Sequence, residues 1–203
     1  QWMTAGSGII HQEMPKESPR MLGCQLWVNL PAKEKMTIPT YRDILQEDVP
    51  LIREEGAVVR VLSGAYNGNK GPMDGGYQDV QYLDITLEPD REWLYDQTPN
   101  DHTLFLYLLD GSLKPEGNDS FEEKRSAMLM AATGKPGEGN DTVSVRSGSK
   151  GARFLLIAAK PLHEPFSWGG PIVMNTKEEL ELAFRELEEG TFIRHKDPTF
   201  LIL

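Results

Sequence analysis

Hydrophobic and polar positions alternate with a period of two through much of this chain, a pattern that puts one set of side chains on each face of a strand. Leu83, Ile85 and Leu87 share the inward face of a strand over Tyr82 to Leu87, and Val58 to Leu62 forms another that ends at Ser63-Gly64. Thr103 to Leu109 is a continuous apolar run, and Asp110-Gly111 at its end predicts a hairpin turn. Met128 to Ala132, Thr142 to Arg146 and Phe154 to Ala159 supply further strands. Near the start, Cys24, Leu26, Val28 and Leu30 fall on one face with Gln25, Trp27 and Asn29 on the other, which predicts a barrel strand with Cys24 in the core. Many short strands divided by Gly, Pro and Asp turns predict an all-β sandwich or barrel.

The period changes once, near the end. Thr176-Lys177-Glu178-Glu179 reads as a capping box, with Thr176 as N-cap and Glu179 at the third helical position. Leu180, Ala183, Phe184 and Leu187 follow at i, i+3, i+4 and i+7, and Gly190 stops the run. This predicts a helix over about 176–189 whose apolar stripe packs on the outside of a barrel, with Glu178, Glu181, Glu186, Glu188 and Glu189 on its solvated faces. The charged stretch from Lys33 to Pro50 reads as a crossover with at most a helical turn around Tyr41 to Leu45. The glycine-rich loop from Asn67 to Gly76 lacks the Gly-Lys-Ser/Thr end of a phosphate loop, and no periodic helix follows it, so it reads as an ordinary connection.

The 203 residues suffice for one full domain core and part of a second. With Asp+Glu 31 against Lys+Arg 21 the net charge is -10, and no basic run interleaves with aromatics. Direct nucleic-acid binding is therefore not expected, because it needs a cationic patch to displace counterions. The single cysteine leaves no internal disulfide and suits a reducing compartment. No apolar run reaches membrane-spanning length, so no membrane association is expected.

The candidate chemistry lies at the start, in Gln1-Trp2-Met3-Thr4-Ala5-Gly6-Ser7-Gly8-Ile9-Ile10-His11-Gln12-Glu13-Met14-Pro15. Gly6 and Gly8 permit a tight turn with positive φ, and Ile9-Ile10 then reads as the start of a strand. On that strand His11 and Glu13, two apart, would point to one face, so an imidazole and a carboxylate could converge. Such a pair suits first-row divalent ions, including non-haem iron; the other reading is a solvated strand edge. His102 reads as a hydrogen-bonded residue at a barrel mouth, His163 as part of a chain crossing, and His195 as part of a polar tail. Trp2, Trp27, Trp93 and Trp168 read as core or barrel-rim packing.

Three sets of words, in order, carry a family resemblance. The opening stretch to Pro15, then Leu22-Gly23-Cys24-Gln25-Leu26-Trp27-Val28-Asn29-Leu30-Pro31, then Pro161-Leu162-His163-Glu164-Pro165 with Gly170-Pro171-Ile172-Val173-Met174-Asn175-Thr176, together resemble the pirin family. The resemblance implies two cupin barrels in tandem, double-stranded β-helix or jelly-roll in type, with one metal, usually iron (Fe2+), in the N-terminal barrel. It implies that the ligands are three histidines and a glutamate, with His11 as the third histidine and Glu13 as the glutamate. The other two belong to an upstream His-Pro-His motif that this sequence does not contain. The chain thus reads as a pirin lacking most of its first barrel: residues 1–50 a remnant of that barrel with the crossover, residues 51–203 a complete second barrel with the helix. A weak echo of the opening motif at Gly139-Asn140-Asp141-Thr142 sets Thr142 where a ligand would stand, so the second barrel is expected to be metal-free.

For the complete form the resemblance implies a mononuclear iron dioxygenase acting on flavonols such as quercetin. The alternatives are a non-enzymatic co-regulator that binds a protein partner, and an inactive fragment. A complete pirin is expected to be monomeric, whereas a half-missing barrel would expose strand edges that favour association. The expected location is the cytoplasm, or the nucleus in a eukaryote.

Overall fold

The computed structural model describes every residue except Glu13, Pro15, Lys16, Lys124, 132–138 and 196–203. Along the chain run β1 (Trp2–Thr4), β2 (Thr40–Arg42), β3 (Leu51–Glu54), β4 (Ala57–Ser63), β5 (Ala65–Tyr66), β6 (Asn69–Lys70) and β7 (Val80–Leu87). Then come β8 (Glu92–Pro99), β9 (Thr103–Pro115), β10 (Glu122–Glu123), β11 (Ala127–Met130), β12 (Asn140–Ala159), β13 (Ser167–Gly169), β14 (Ile172–Met174) and the helix α1 (Lys177–Glu188). The chain divides into two compact units, residues 44–161 as one and residues 1–43 with 162–203 as the other. Contacts thus group α1 with the N-terminal stretch.

Unit 44–161 holds an eight-stranded antiparallel sheet in the order β10-β9-β12-β7-β4-β3, with β11 added to β9 and β8 to β12, and a separate two-stranded pair of β5 with β6. The strand β12 joins its parts. Its second half, Ala152 to Ala159, lies between β7 and β9, while its first half pairs with β8 and the end of β9. Leu83, Ile85 and Leu87 face inward as the sequence alternation predicts, and Val59, Val61, Leu104, Leu106 and Leu108 are buried with them. Phe154, Leu156 and Ala158 close the same core from β12. Each of these Val, Leu, Ile and Phe side chains contributes roughly 1.5–3 kcal/mol when removed from water, which makes this apolar face the main stabilising feature of the unit.

Two predicted breaks turn out to be bends. Asp110-Gly111 does not turn the chain back; β9 continues through Gly111, which has φ +77° and sits opposite Ala152. The stretches 142–146 and 154–159 are likewise one strand, bent between Ser147 and Ala152 where the register shifts. Glycine lets a strand bend without ending, so a turn-like dipeptide inside a long ladder becomes a bulge.

In the other unit β1 pairs with β2 and β13 with β14, both antiparallel. Tyr41, placed in a helical turn by the sequence, instead lies in β2 opposite Met3. Thr176 caps α1 as expected: its hydroxyl accepts the Glu179 N–H at 3.2 Å, and the Glu179 carboxylate accepts the Thr176 N–H at 3.0 Å. The helix packs on the β13–β14 hairpin where Gly169 lets Phe184 and Leu180 come close, and Gly190, with φ +71°, follows its end. Residues 22–31 form no strand, and Cys24 is exposed rather than in the core. A strand needs a neighbour to take its amide and carbonyl groups, and none of the described strands pairs with this stretch.

Candidate metal centre

The approach to His11 is built by two glycines. Gly6 has φ +50° and Gly8 φ +125°. Ser7 donates its N–H to the Thr37 carbonyl at 2.9 Å, and Gly8 donates to the Ala5 carbonyl at 3.0 Å. A Cβ on Gly6 would stand 2.2 Å from the Thr37 oxygen, and one on Gly8 would stand 2.7 Å from the Phe192 ring. Gly6 therefore requires glycine for space as well as for φ, whereas at Gly8 the φ favours glycine and the close neighbour is a side chain. Beyond this turn the expectation of a strand fails: Ile9, Ile10 and His11 lie outside any strand, with Ile10 and His11 exposed. Glu13, the second expected ligand, lies outside the described residues.

No group of three His, Cys, Asp or Glu side chains able to hold a metal exists among the described residues. An imidazole alone does not fix a mononuclear ion, for which protein sites supply about three ligands or more. The described residues thus do not by themselves fit the expected iron.

Unit 44–161 holds the polar cluster that sequence reasoning only partly reached. His102 Nδ1 lies 2.8 Å from Asp101 Oδ1, and Lys160 Nζ lies 2.6 Å from Asp101 Oδ2. Hydrogen bonds from Lys160 and then His102 hold the Asp101 carboxyl below its ordinary value. The cluster ties the start of β9 to the residue after β12, which supports the structural reading of His102. The adjacency of Asp101 and His102 hinted at this; nothing pointed to Lys160. Thr142, placed at a ligand position by the sequence echo, is exposed, and the inward neighbours on β12 are Asp141 and Val143. Aromatic rings occupy the interior of this unit. Trp93 stacks on Tyr95 with centroids 5.7 Å apart, Tyr66 lies 6.1 Å from Tyr95, and Phe154 meets Trp93 edge-on at 5.8 Å. The Tyr66 hydroxyl donates to Glu54 Oε2 at 2.9 Å, and burial together with that carboxylate raises its pKa well above the ordinary tyrosine range.

Among the other tryptophans, Trp27 and Trp168 depart from core packing. They are 53% and 67% exposed and meet edge to face at 6.3 Å. His163 is exposed with φ +54°, and His195 is half-buried.

Residues 82–193 match the model of the pirin C-terminal cupin domain, and residues 1–28 match the pirin model. A protein of Thermoplasma acidophilum, provisionally named a quercetin 2,3-dioxygenase, is 36% identical over 98% of this chain and 80% of its own length. Human pirin is 36% identical over 94% of this chain and 64% of its own length. Among solved structures, a quercetin 2,3-dioxygenase from Acinetobacter baumannii superposes with a TM-score of 0.71 at 30% identity, covering 82% of this chain and 55% of that one.

Proposed function

The chain belongs to the pirin family, and from that premise we propose that it is part of a metal-binding cupin protein whose complete form is an iron-dependent dioxygenase acting on flavonols such as quercetin. His11 and Glu13 are the ligands this chain would contribute. What supports the reading is the match of residues 1–28, the stretch that holds His11 and Glu13, to the pirin model. The names of the Thermoplasma and Acinetobacter relatives supply the substrate class. The test is metal content per chain in purified protein, with His11→Ala as control. Stoichiometric iron that is lost in the variant supports ligation by His11; equal metal in both proteins removes His11 from the ligand set.

A second reading, a non-enzymatic module that binds a protein partner, is favoured by Trp27, Trp168 and Phe166, all more than half exposed in one unit. Exposed aromatics of this size are enriched at interfaces. A folded Trp168→Ala chain that loses a partner captured by the wild type would support it. No helix among the described residues is long and apolar enough to cross a membrane.

A further inference from the structure

The chain that follows α1 folds back onto the N-terminal turn of the same unit, and one residue of the helix anchors it twice. Gly190, with φ +71°, donates its N–H to the Leu187 carbonyl at 3.3 Å, and Thr191 donates to the Glu186 carbonyl at 2.8 Å, the two bonds of a Schellman motif. Phe192 donates its N–H to the same Glu186 carbonyl at 3.1 Å. Two residues on, Arg194 Nη2 donates to the Glu186 carboxylate at 2.9 and 3.1 Å. Glu186, expected on a solvated face, is thus half-buried and holds the chain on either side of the Phe192 ring. That ring lies against Gly8, where a Cβ would stand 2.7 Å from Cε1 and 3.1 Å from both Cδ1 and Cζ.

Ser7 and Gly8 are buried, whereas Ile10 and His11 just beyond them are exposed. In that buried turn the Ser7 hydroxyl has no hydrogen-bond partner among the described residues. An unpaired buried hydroxyl destabilises the closed arrangement, because opening returns it to water. Apolar cover from Phe192 acts in the opposite direction. Two opposed contributions over one short turn favour a local opening that leaves the rest of the unit folded. We propose that residues 190–194 form a strap over the Ser7-Gly8 turn, closed by Phe192 and poised to open, and that its opening frees the segment carrying His11. Residues 9–12 pair with no strand among the described residues, so the turn is what fixes the direction in which His11 leaves the fold. The device belongs to the fold and stands whether or not His11 ligates a metal.

Amide exchange and backbone relaxation on the full 203-residue chain test this without any metal, so the outcome is separate from that of the ligand reading. Phe192→Ala is expected to lower protection of the Gly8 amide, which bonds the Ala5 carbonyl, at least about tenfold. The Ile9, Ile10 and His11 amides should then fall into the flexible range, with order parameters below about 0.6. Phe192→Leu keeps apolar cover and should restore most of the protection. Ser7→Ala removes the orphaned hydroxyl and should act with the opposite sign, raising Gly8 protection about fivefold. Amides of α1 and β7 should be unchanged in all three variants. Unaltered Gly8 protection in Phe192→Ala, an equal loss along α1, or order parameters at 9–11 as in the wild type would overturn the proposal. So would a Phe192→Leu chain no better than Phe192→Ala, or a Ser7→Ala chain no better protected than the wild type.

Discussion

The guanidinium of Arg153 grips the buried carboxylate of Asp84 with two hydrogen bonds, Nε to Oδ1 at 2.9 Å and Nη2 to Oδ2 at 2.7 Å. The pair links β12 to β7, and Arg60 on β4 stands 3.9 Å from the same carboxylate. The Asp84 side chain is 8% exposed, whereas those of Arg153 and Arg60 keep water contact. The cost of breaking the pair therefore falls on the aspartate. Arg153→Ala is expected to lower the unfolding free energy by about 2 kcal/mol, the range for a lost hydrogen bond to a charged group. Arg153→Lys should recover little, because an ammonium cannot reproduce the two-pronged geometry. An Asp84→Leu/Arg153→Met double variant should lose less than Arg153→Ala. Denaturant titration of the four proteins checks the order.

Gly111 and Gly151 face each other at the bend of the long strands. A Cβ on Gly111 would stand 2.1 Å from the Gly151 carbonyl oxygen, and Gly111 also has φ +77°. Gly117, at φ +86°, has open space around it. Gly117→Ala should therefore cost about 1 kcal/mol, the penalty of a left-handed backbone alone. Gly111→Ala should cost more than about 2 kcal/mol, because both strands must also separate. Equal midpoints of denaturation for the two variants would refute the steric argument.

These two sites also mark what could be read from the chain. Period-two alternation located Leu83, Ile85 and Leu87 on the core face, because strand periodicity is local and burial follows it directly. Gly111 was visible as a glycine but not as a bend, since turn and bulge differ only in whether a partner strand runs alongside. Residues 22–31 show the converse: alternation without a partner made no strand. At the candidate site, the need for Gly6 and Gly8 was legible as positive φ. Thr37 and Phe192, which close on them, are distant in sequence and left no local signal.

Asp101 gives the chain an acid-sensitive contact. Lys160 and His102 hold its carboxyl below the ordinary value of 3.8. For a carboxylate with a depressed folded-state pKa, the stabilisation is fully present above the unfolded value and is lost as pH falls through the folded one. The wild type should therefore lose stability below about pH 4 more steeply than Asp101→Asn, in which this titration is absent. Thermal melts of both proteins between pH 2 and 5, on the order of the carboxylate range, check the slope. Parallel curves would show that Asp101 is not a stabilising carboxylate.

His11 sets the expectation for activity. Its imidazole is exposed, residues 9–12 pair with no strand, and the described residues gather no set of three metal-binding side chains. Dioxygen chemistry on a flavonol needs the substrate oriented in a site from which water is excluded, and an exposed imidazole provides neither enclosure nor a second fixed ligand. Oxygen uptake by this 203-residue chain with quercetin and added ferrous iron should therefore match that of protein-free iron, and His11→Ala should not change it. Uptake above that background and abolished by His11→Ala would show that the remaining ligands are recruited from elsewhere, from a second copy or from residues beyond those described, and would place turnover within reach of this chain alone.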